Sequence, residues 1–240
     1  MSTLTLRIIA SICMLLDHLG YCMNIQSLRY IGRLAFPIYM FLMVNGFRYT
    51  KNRRRYAARL ALFAVLSQIP YALMCFGRYD EPHLNVMVTL LMSLFVIWTG
   101  EKLRNNPKTR YFCLAPGIVL CSACFLNYIQ ADYGAKGILF AMTFWLLEGK
   151  RTQIVVGSVF TLFHSHIVLS VLNIISGKAL RIPTTWEIAQ LFSLLSLPLI
   201  FSFDGTQGRL PNSPFGKKAV QIGFYLFYPM HMLLLWYFFR

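Results

Sequence analysis

Residues 6–24 read LRIIASICMLLDHLGYCMN, a mostly apolar run of the length that a helix needs to cross a lipid bilayer. Asp17 and His18 stand side by side within this run. A carboxylate and an imidazole are costly at such a depth and are rarely found there without a partner or a role. The stretch therefore predicts a transmembrane helix and marks a place where chemistry is expected.

The rest of the chain continues this pattern. Hydrophobic residues make up 57% of the 240 residues and charged residues 13%, whereas a soluble domain is about a quarter charged. The apolar residues form long runs rather than narrow stripes, which predicts an all-α, polytopic transmembrane helix bundle in one domain, residues 1–240. We expect about nine spans, at approximately 6–24, 30–48, 57–76, 84–100, 112–129, 134–148, 152–175, 187–203 and 219–239.

The net charge of +15 would suggest a nucleic-acid partner if the protein were soluble. Here the basic residues gather in alternate loops between the predicted spans. They are densest between the second and third spans, at Arg48, Lys51, Arg53, Arg54, Arg55 and Arg59. This alternation follows the positive-inside rule. We therefore predict a multi-pass protein of the cell membrane with a cytoplasmic amino terminus, whose partner is the lipid bilayer and not nucleic acid.

Residue positions along a helix convert to depth, because a helix rises 1.5 Å per residue. In the predicted orientation, six polar side chains from four spans fall near the middle of the bilayer: Asp17, His18, Gln68, His164, His166 and His231. Their common depth predicts a shared internal cavity. The alternative is that these side chains only join helices through hydrogen bonds, each worth about 0.6 kcal/mol on average.

A histidine supported by a carboxylate is a general-base unit, and the carboxylate can come from another helix. The chain lacks the G-x-S-x-G, H-E-x-x-H and Walker motifs. Cys121 and Cys124 have metal-site spacing, but no second ligand pair accompanies them, so no metal is predicted. The run Arg53-Arg54-Arg55 suits the phosphates of a soluble donor. Its alternative interpretation is membrane topology alone.

Several short motifs follow one another along the chain. They are LRIIA at 6–10, LDHLG at 16–20, IGRLAFPI at 31–38, NGF at 45–47, SQIPY at 67–71, NV at 85–86 with TL at 89–90, DYG at 132–134 and FYLFYPMH at 224–231. On these motifs the sequence resembles the TraX family, whose namesake acetylates the amino terminus of F-type pilin. The first and last motifs also resemble those of the integral-membrane acyltransferase-3 class, which places one histidine in its first helix and another near its end.

The resemblance implies roles for individual residues. His18 would be the base, Asp17 its partner, Arg33 a charge-stabilising or positioning group, and His231 a second histidine of the cavity. The candidates for substrate binding are Asn45, Gln68, Asn85, Asp132 and Tyr228. Gln68 departs from the family pattern, which has Glu at this point, and a neutral amide cannot act as a base.

The predicted function is that of an acyltransferase. It would move an acetyl group from acetyl-CoA to an amine or hydroxyl, on a pilin-like peptide or a cell-surface glycan. One alternative is a small proton-coupled transporter or flippase that uses Asp17 and the histidines as a proton relay. Another is an assembly factor without catalysis, in which the polar groups only hold helices together.

Overall fold

The computed structural model describes residues 1–80, 82–105, 114–176, 182, 188–209, 211 and 213–239. These residues form helices and connecting turns, with one isolated parallel bridge between Leu84 and Ala131. The helices are α1 (Thr3–Cys22), α2 (Gln26–Gly32), α3 (Ala35–Tyr49), α4 (Arg53–Leu66), α5 (Gln68–Phe76), α6 (Val86–Arg104), α7 (Ala115–Tyr128), α8 (Gly134–Leu146), α9 (Arg151–Ile175), α10 (Ser196–Phe201) and α11 (Pro214–Phe239). A 3₁₀ segment, Gln190–Leu195, leads directly into α10.

Four helical stretches of the described chain are long and apolar enough to cross a membrane: Thr3–Cys22, Gln26–Tyr49, Val86–Arg104 and Phe215–Phe239. The bent pair α4 and α5 would make a fifth. By contrast, α7 and α8 have 14 and 13 residues, so each is shorter than the roughly 30 Å hydrocarbon layer. The all-α class is confirmed and these spans are candidates. The number of nine and the cytoplasmic amino terminus stay predictions.

The predicted third span, 57–76, consists of two helices in the structure because a proline interrupts it. The helices α4 and α5 meet at Ser67 with a bend of 40°. Pro70 lies in the first turn of α5, where its missing N–H leaves no helical hydrogen bond unmade. In a continuous helix its ring would clash with the carbonyl of Leu66. After the bend, α5 packs against α11.

The first helix lies at the centre of the packing, since α1 contacts α2, α3 and α11. Two glycines allow the closest approaches. A Cβ on Gly32 would lie 2.6 Å from the Asp17 Cα, and a Cβ on Gly20 would lie 2.8 Å from the carbonyl oxygen of Ile25. These glycines therefore bring α2 and the turn before it directly against α1, at the level of Asp17.

Candidate active site

A cavity of about 410 Å³ follows α1 through the interior of the bundle. Its lining includes Arg7 near one end of the helix and Tyr21 near the other, about 21 Å apart along the axis. Asp17 and His18 lie between them, and both contribute to the lining. Other walls come from α2 to α6, from α11 and from the turn before α8. Of the side chains expected to share an internal cavity, Asp17 and His18 line this one, whereas Gln68, His166 and His231 do not.

His18 contacts the last helix. Its Nδ1 lies 2.7 Å from His231 Nε2, and His231 Nδ1 lies 2.6 Å from the carbonyl oxygen of Phe227. His231 is 4% exposed and lies behind His18, outside the lining of the cavity. The sequence placed these two histidines at one depth, and the structure brings them into contact. We call His18 and His231 the histidine pair.

Asp17 belongs to a separate, charged group. Its Oδ1 accepts a hydrogen bond of 2.8 Å from Arg33 Nη2, and Arg33 Nη1 lies 3.4 Å from the Tyr133 hydroxyl. Only 6% of the Arg33 side chain is exposed. Successive residues of a helix point about 100° apart, so Asp17 and His18 face different neighbours. The prediction that Asp17 supports His18 is thus corrected: the hydrogen-bond partner of Asp17 is Arg33.

The turn before α8 brings a second carboxylate, Asp132, to the cavity. The Asp132 N–H donates to the Leu84 carbonyl at 2.8 Å, and its own carbonyl accepts from the Thr89 hydroxyl. Gln130 and Tyr133 have φ of 52° and 62°, a left-handed conformation that is uncommon outside glycine. Such strain persists only where surrounding contacts impose it. The turn is therefore fixed in a shape that presents Asp132 to the cavity.

Burial raises the pKa of the Asp132 carboxyl to about 6, while Arg33 opposes the shift and the Asp17 carboxylate adds to it. Burial also raises the pKa of the Tyr133 hydroxyl above its ordinary value, so this group stays neutral near pH 7. The Tyr133 ring stacks on Phe36 with 3.7 Å between centroids. We call Asp17, Arg33, Asp132 and Tyr133 the Arg33 cluster. It combines a buried ion pair with a carboxyl that titrates near neutral pH.

Gln68 and Asn85, predicted to bind substrate, hydrogen-bond to each other outside the lining of the cavity. Gln68 Oε1 accepts from Asn85 Nδ2 at 2.8 Å, and Gln68 Nε2 donates to the His83 carbonyl at 2.7 Å. Asn85 Nδ2 also donates to the Ala64 carbonyl, and Asn85 Oδ1 accepts from the Met87 N–H. These bonds tie the bend between α4 and α5 to the start of α6. The structure thus gives both residues an architectural role.

Of the other two predicted substrate residues, Tyr228 lies at the cavity and Asn45 lies away from it. Tyr228 lines the cavity, and its ring centroid is 6.5 Å from that of His18 and 6.0 Å from that of His231. Asn45 is half-buried in α3 and does not line the cavity. Tyr228 and Asp132 therefore remain beside the histidine pair as groups that a bound substrate would meet.

The three arginines predicted to hold donor phosphates are not at the cavity. Arg53 forms two contacts with the Glu101 carboxylate, at 2.5 and 3.1 Å, and its guanidinium lies 4.2 Å from the Phe47 ring centroid. Arg54 and Arg55 are exposed on the surface. The charge of Arg53 is already matched by Glu101, so this run fits a topological role better than a donor site.

Basic groups do lie at one end of the cavity, where the sequence did not single them out. Arg7 lines the cavity and follows the same face of α1 as His18, three turns away. The Arg59 guanidinium lies 5.8 Å from the ring centroid of Tyr56, which also lines the cavity. Arg59 Nε is buried without a hydrogen-bond partner in the described part of the chain. The spacing from Arg7 to His18 was a usable signal, whereas Arg59 stood among the basic residues that indicate membrane topology.

The remaining histidines of the predicted midplane set lie on α9. His166 is half-buried, and its ring meets Phe163 edge-on at 6.5 Å. The side chain of His164 lies outside what the structure describes. Within the described side chains, no group of three or more His, Cys, Asp or Glu residues could hold a metal ion.

Comparisons with known proteins agree with the motifs. No solved structure matches the chain. A relative from Dichelobacter nodosus, described as a probable fimbrial assembly protein FimC of serogroup H1, is 26% identical over 265 residues, which cover 98% of this chain and 94% of the relative. The family described as TraX protein matches residues 2–238. The chain therefore belongs to the TraX family.

Proposed function

We propose that this protein is a membrane-embedded acyltransferase that moves an acetyl group from acetyl-CoA to an amine or hydroxyl. The observation that carries this proposal is the placement of His18. Its ring borders a cavity of about 410 Å³ and is held from behind by His231. An imidazole in such a place is suited to general-base catalysis. We further propose that the protein lies in the cell membrane.

The donor would enter at the Arg7 end of the cavity. Arg7 and Arg59 both lie close enough to act electrostatically on the Tyr56 hydroxyl. Guanidinium groups bind phosphates through charge-assisted hydrogen bonds, and the buried Nε of Arg59 would gain a partner there. Arg7 is about 16 Å from His18 along α1. Acetyl-CoA is elongated, so its phosphates could lie at this end while its thioester reaches the histidine.

In the proposed reaction, His18 takes a proton from the acceptor N–H or O–H as the acceptor atom attacks the thioester carbonyl. The tetrahedral intermediate collapses, the C–S bond breaks, and the leaving CoA thiolate takes the proton from the imidazolium. Arg33 is bonded to Asp17 and faces Tyr133. We therefore assign Arg33 to positioning of the cluster rather than to direct stabilisation of the intermediate.

The acceptor would approach from the end that holds Asp17, Asp132 and Tyr21. Arg29 and Arg33 line the same end and balance the two carboxylates, so the recognition we propose there is a hydrogen bond from the N–H or O–H of the acceptor to the Asp132 carboxylate. The Dichelobacter nodosus relative is described as a probable fimbrial assembly protein, which favours a pilin-like peptide amine over a glycan hydroxyl.

The direct test uses purified protein in liposomes, acetyl-CoA labelled in its acetyl group, and two acceptors, a pilin-like peptide and an oligosaccharide. We expect label on the peptide amine and release of free CoA in equal amounts. Label on the oligosaccharide alone would keep the enzyme class and change the acceptor. No label on any acceptor, with no CoA release, would contradict the proposal.

One observation favours the transporter as a second candidate. The cavity accompanies α1 over most of its length, as a translocation path would, and it contains two carboxylates and a histidine. A transporter would move a solute in response to a pH gradient across the liposome without consuming acetyl-CoA. Solute uptake that is abolished by dissipating the pH gradient, with acetyl-CoA untouched, would favour this function.

A further inference from the structure

The two imidazoles of the histidine pair meet edge to edge. Their planes differ by 5°, and their centroids are 4.9 Å apart. The closest nitrogens are 2.7 Å apart, and the difference between these two distances matches the radii of the two rings. The contacting nitrogens therefore lie close to the line that joins the ring centres, with their lone pair and N–H in the ring planes. This is the geometry of a strong hydrogen bond and not of a face-to-face stack.

The bond on the far side of His231 decides where the protons are. A carbonyl oxygen can only accept, so the 2.6 Å contact between His231 Nδ1 and the Phe227 carbonyl requires a proton on Nδ1. A backbone carbonyl fixes a histidine tautomer in this way. If His231 is neutral, its Nε2 carries no proton and accepts from His18 Nδ1. His18 Nε2 is then bare.

The other assignment would make His231 doubly protonated, with His18 Nδ1 as acceptor and a proton on His18 Nε2. A charged imidazolium at 4% exposure is costly unless an acid pairs with it. The Asp17 carboxylate faces Arg33, and no ion pair of His231 with an acid occurs among the described residues. Burial therefore favours the neutral pair.

We propose that His231 is a positioning residue that fixes His18 in the Nδ1-protonated tautomer, so that His18 Nε2 is the bare nitrogen turned to the cavity. This inference rests on the proposed function for its catalytic meaning. His18 Nδ1 is occupied by His231, and the described chain offers Nε2 no hydrogen-bond partner, which leaves it for the acceptor's proton. His231 takes the place that the sequence gave to Asp17.

In this scheme one proton is gained and then lost at a single atom, His18 Nε2. His18 Nε2 gains the acceptor's proton, and the positive charge is shared across the short bond with His231. The proton on His231 Nδ1 stays on the Phe227 carbonyl throughout. When the CoA thiolate takes the proton back from His18 Nε2, the pair returns to its starting tautomers. Nothing is oxidised or reduced, and no proton leaves the pair permanently.

The first test is spectroscopic and needs no activity. The full-length protein is labelled with ¹⁵N-histidine in detergent micelles or bilayers, and its histidine signals are assigned with single His→Gln variants. We expect the resting protein to show a bare Nε2 and a protonated Nδ1 for His18, and the reverse for His231. A protonated Nε2 on His18, or a doubly protonated His231, would overturn the proposal.

Variants at position 231 test the positioning role. His231→Gln keeps a side-chain oxygen that can accept from His18 Nδ1, whereas His231→Leu does not. We expect His231→Leu to abolish the tautomer preference of His18 and to lower kcat by about 10²-fold or more. His231→Gln should retain the preference and restore kcat to within about tenfold of wild type. Equal losses of both preference and kcat in the two variants would contradict the inference.

His83→Gln is the matched control, because this histidine stacks on the lining residue Phe76 but does not itself line the cavity. It should change neither the His18 signals nor kcat. The spectra and the activity measurements test separate claims. If the tautomers are as expected but no acetyl transfer occurs, the role of His231 in fixing the tautomer stands and the proposed function fails. If the protein transfers acetyl groups but His18 Nε2 is protonated at rest, the proposed function stands and the role of His231 fails.

Discussion

Two neighbouring residues of α1, Asp17 and His18, lead to two regions with different chemistry. Asp17 belongs to the Arg33 cluster, in which Arg33 at the end of α2 pairs with the Asp17 carboxylate and contacts Tyr133 in the turn before α8. His18 faces α11 and joins a second histidine whose outer nitrogen is held by a backbone carbonyl. One side of the helix is therefore ordered by paired charges, while the other is joined to α11 by a hydrogen bond between two imidazoles.

The energetic consequences differ accordingly. Removing one partner of a buried ion pair leaves an uncompensated charge and costs about 3–5 kcal/mol. Removing one partner of a neutral hydrogen bond costs about 1–3 kcal/mol at most. We therefore expect changes in the Arg33 cluster to affect folding, and changes on the His18 face to affect turnover.

The largest effect on stability should come from Arg33→Leu. It leaves the Asp17 carboxylate buried without its partner, and we expect a loss of about 3–5 kcal/mol in the free energy of unfolding. Thermal or denaturant unfolding in detergent measures this. The double variant Asp17→Leu with Arg33→Leu should recover part of the loss, because no charge is left unpaired. If Arg33→Leu were as stable as wild type, the Asp17–Arg33 ion pair would not stabilise the fold.

Gly32→Ala should have the next largest effect on stability. Its Cβ would lie 2.6 Å from the Asp17 Cα, so α2 must move away from α1, which costs about 1–3 kcal/mol. Gly223→Ala on α11 is the matched control, since its Cβ would meet no atom within 4 Å. That control should be neutral or slightly stabilising, because alanine favours a helix. Equal melting temperatures for the two variants would show that α2 does not pack tightly against α1 at Asp17.

On the His18 face, Arg7→Gln should act on donor binding. Loss of one charge-assisted contact to phosphate is worth about 1.5–2 kcal/mol, which corresponds to a rise of about 10- to 30-fold in KM for acetyl-CoA. Stability and acceptor KM should change little. Arg54→Gln, at an exposed position outside the cavity, is the control and should leave donor KM unchanged. A rise in donor KM for Arg54→Gln, with none for Arg7→Gln, would instead place the donor phosphates at the run Arg53-Arg54-Arg55.

The smallest expected effect is a pH dependence from Asp132. Its pKa of about 6 in the folded protein lies above the ordinary value of 3.8, so the folded state holds the proton more tightly than the unfolded state. Stability should therefore fall as pH rises from about 4 to 6 and then level off. Because Asp132 is only half-buried, solvent weakens the effect, and we expect the free energy of unfolding to fall by about 1–2 kcal/mol. Asp132→Asn should remove this slope in unfolding measurements from pH 4 to 7.5.

The sequence predicted the all-α class and a common depth for His18 and His231, because hydropathy and helical rise are local properties. It did not predict which neighbour of α1 each side chain faces, since that depends on how α2 and α11 pack. Pro70 was visible in the sequence, yet the bend at Ser67 emerged only with the surrounding contacts of Gln68 and Asn85. Arg7 and Arg59 were missed because a basic residue near a helix end has the same appearance whether it sets topology or binds a ligand.

The most direct test of the central claim compares His18→Gln with Asp17→Asn, with acetyl transfer measured per folded molecule alongside the melting temperature. We expect His18→Gln to keep the wild-type melting temperature and to lose transfer by about 10²- to 10⁴-fold, as expected for removal of a general base. Asp17→Asn should lower the melting temperature and keep most of the transfer in the molecules that remain folded. Transfer that persists in His18→Gln but vanishes from a stable Asp17→Asn variant would show that Asp17, and not His18, is the catalytic group.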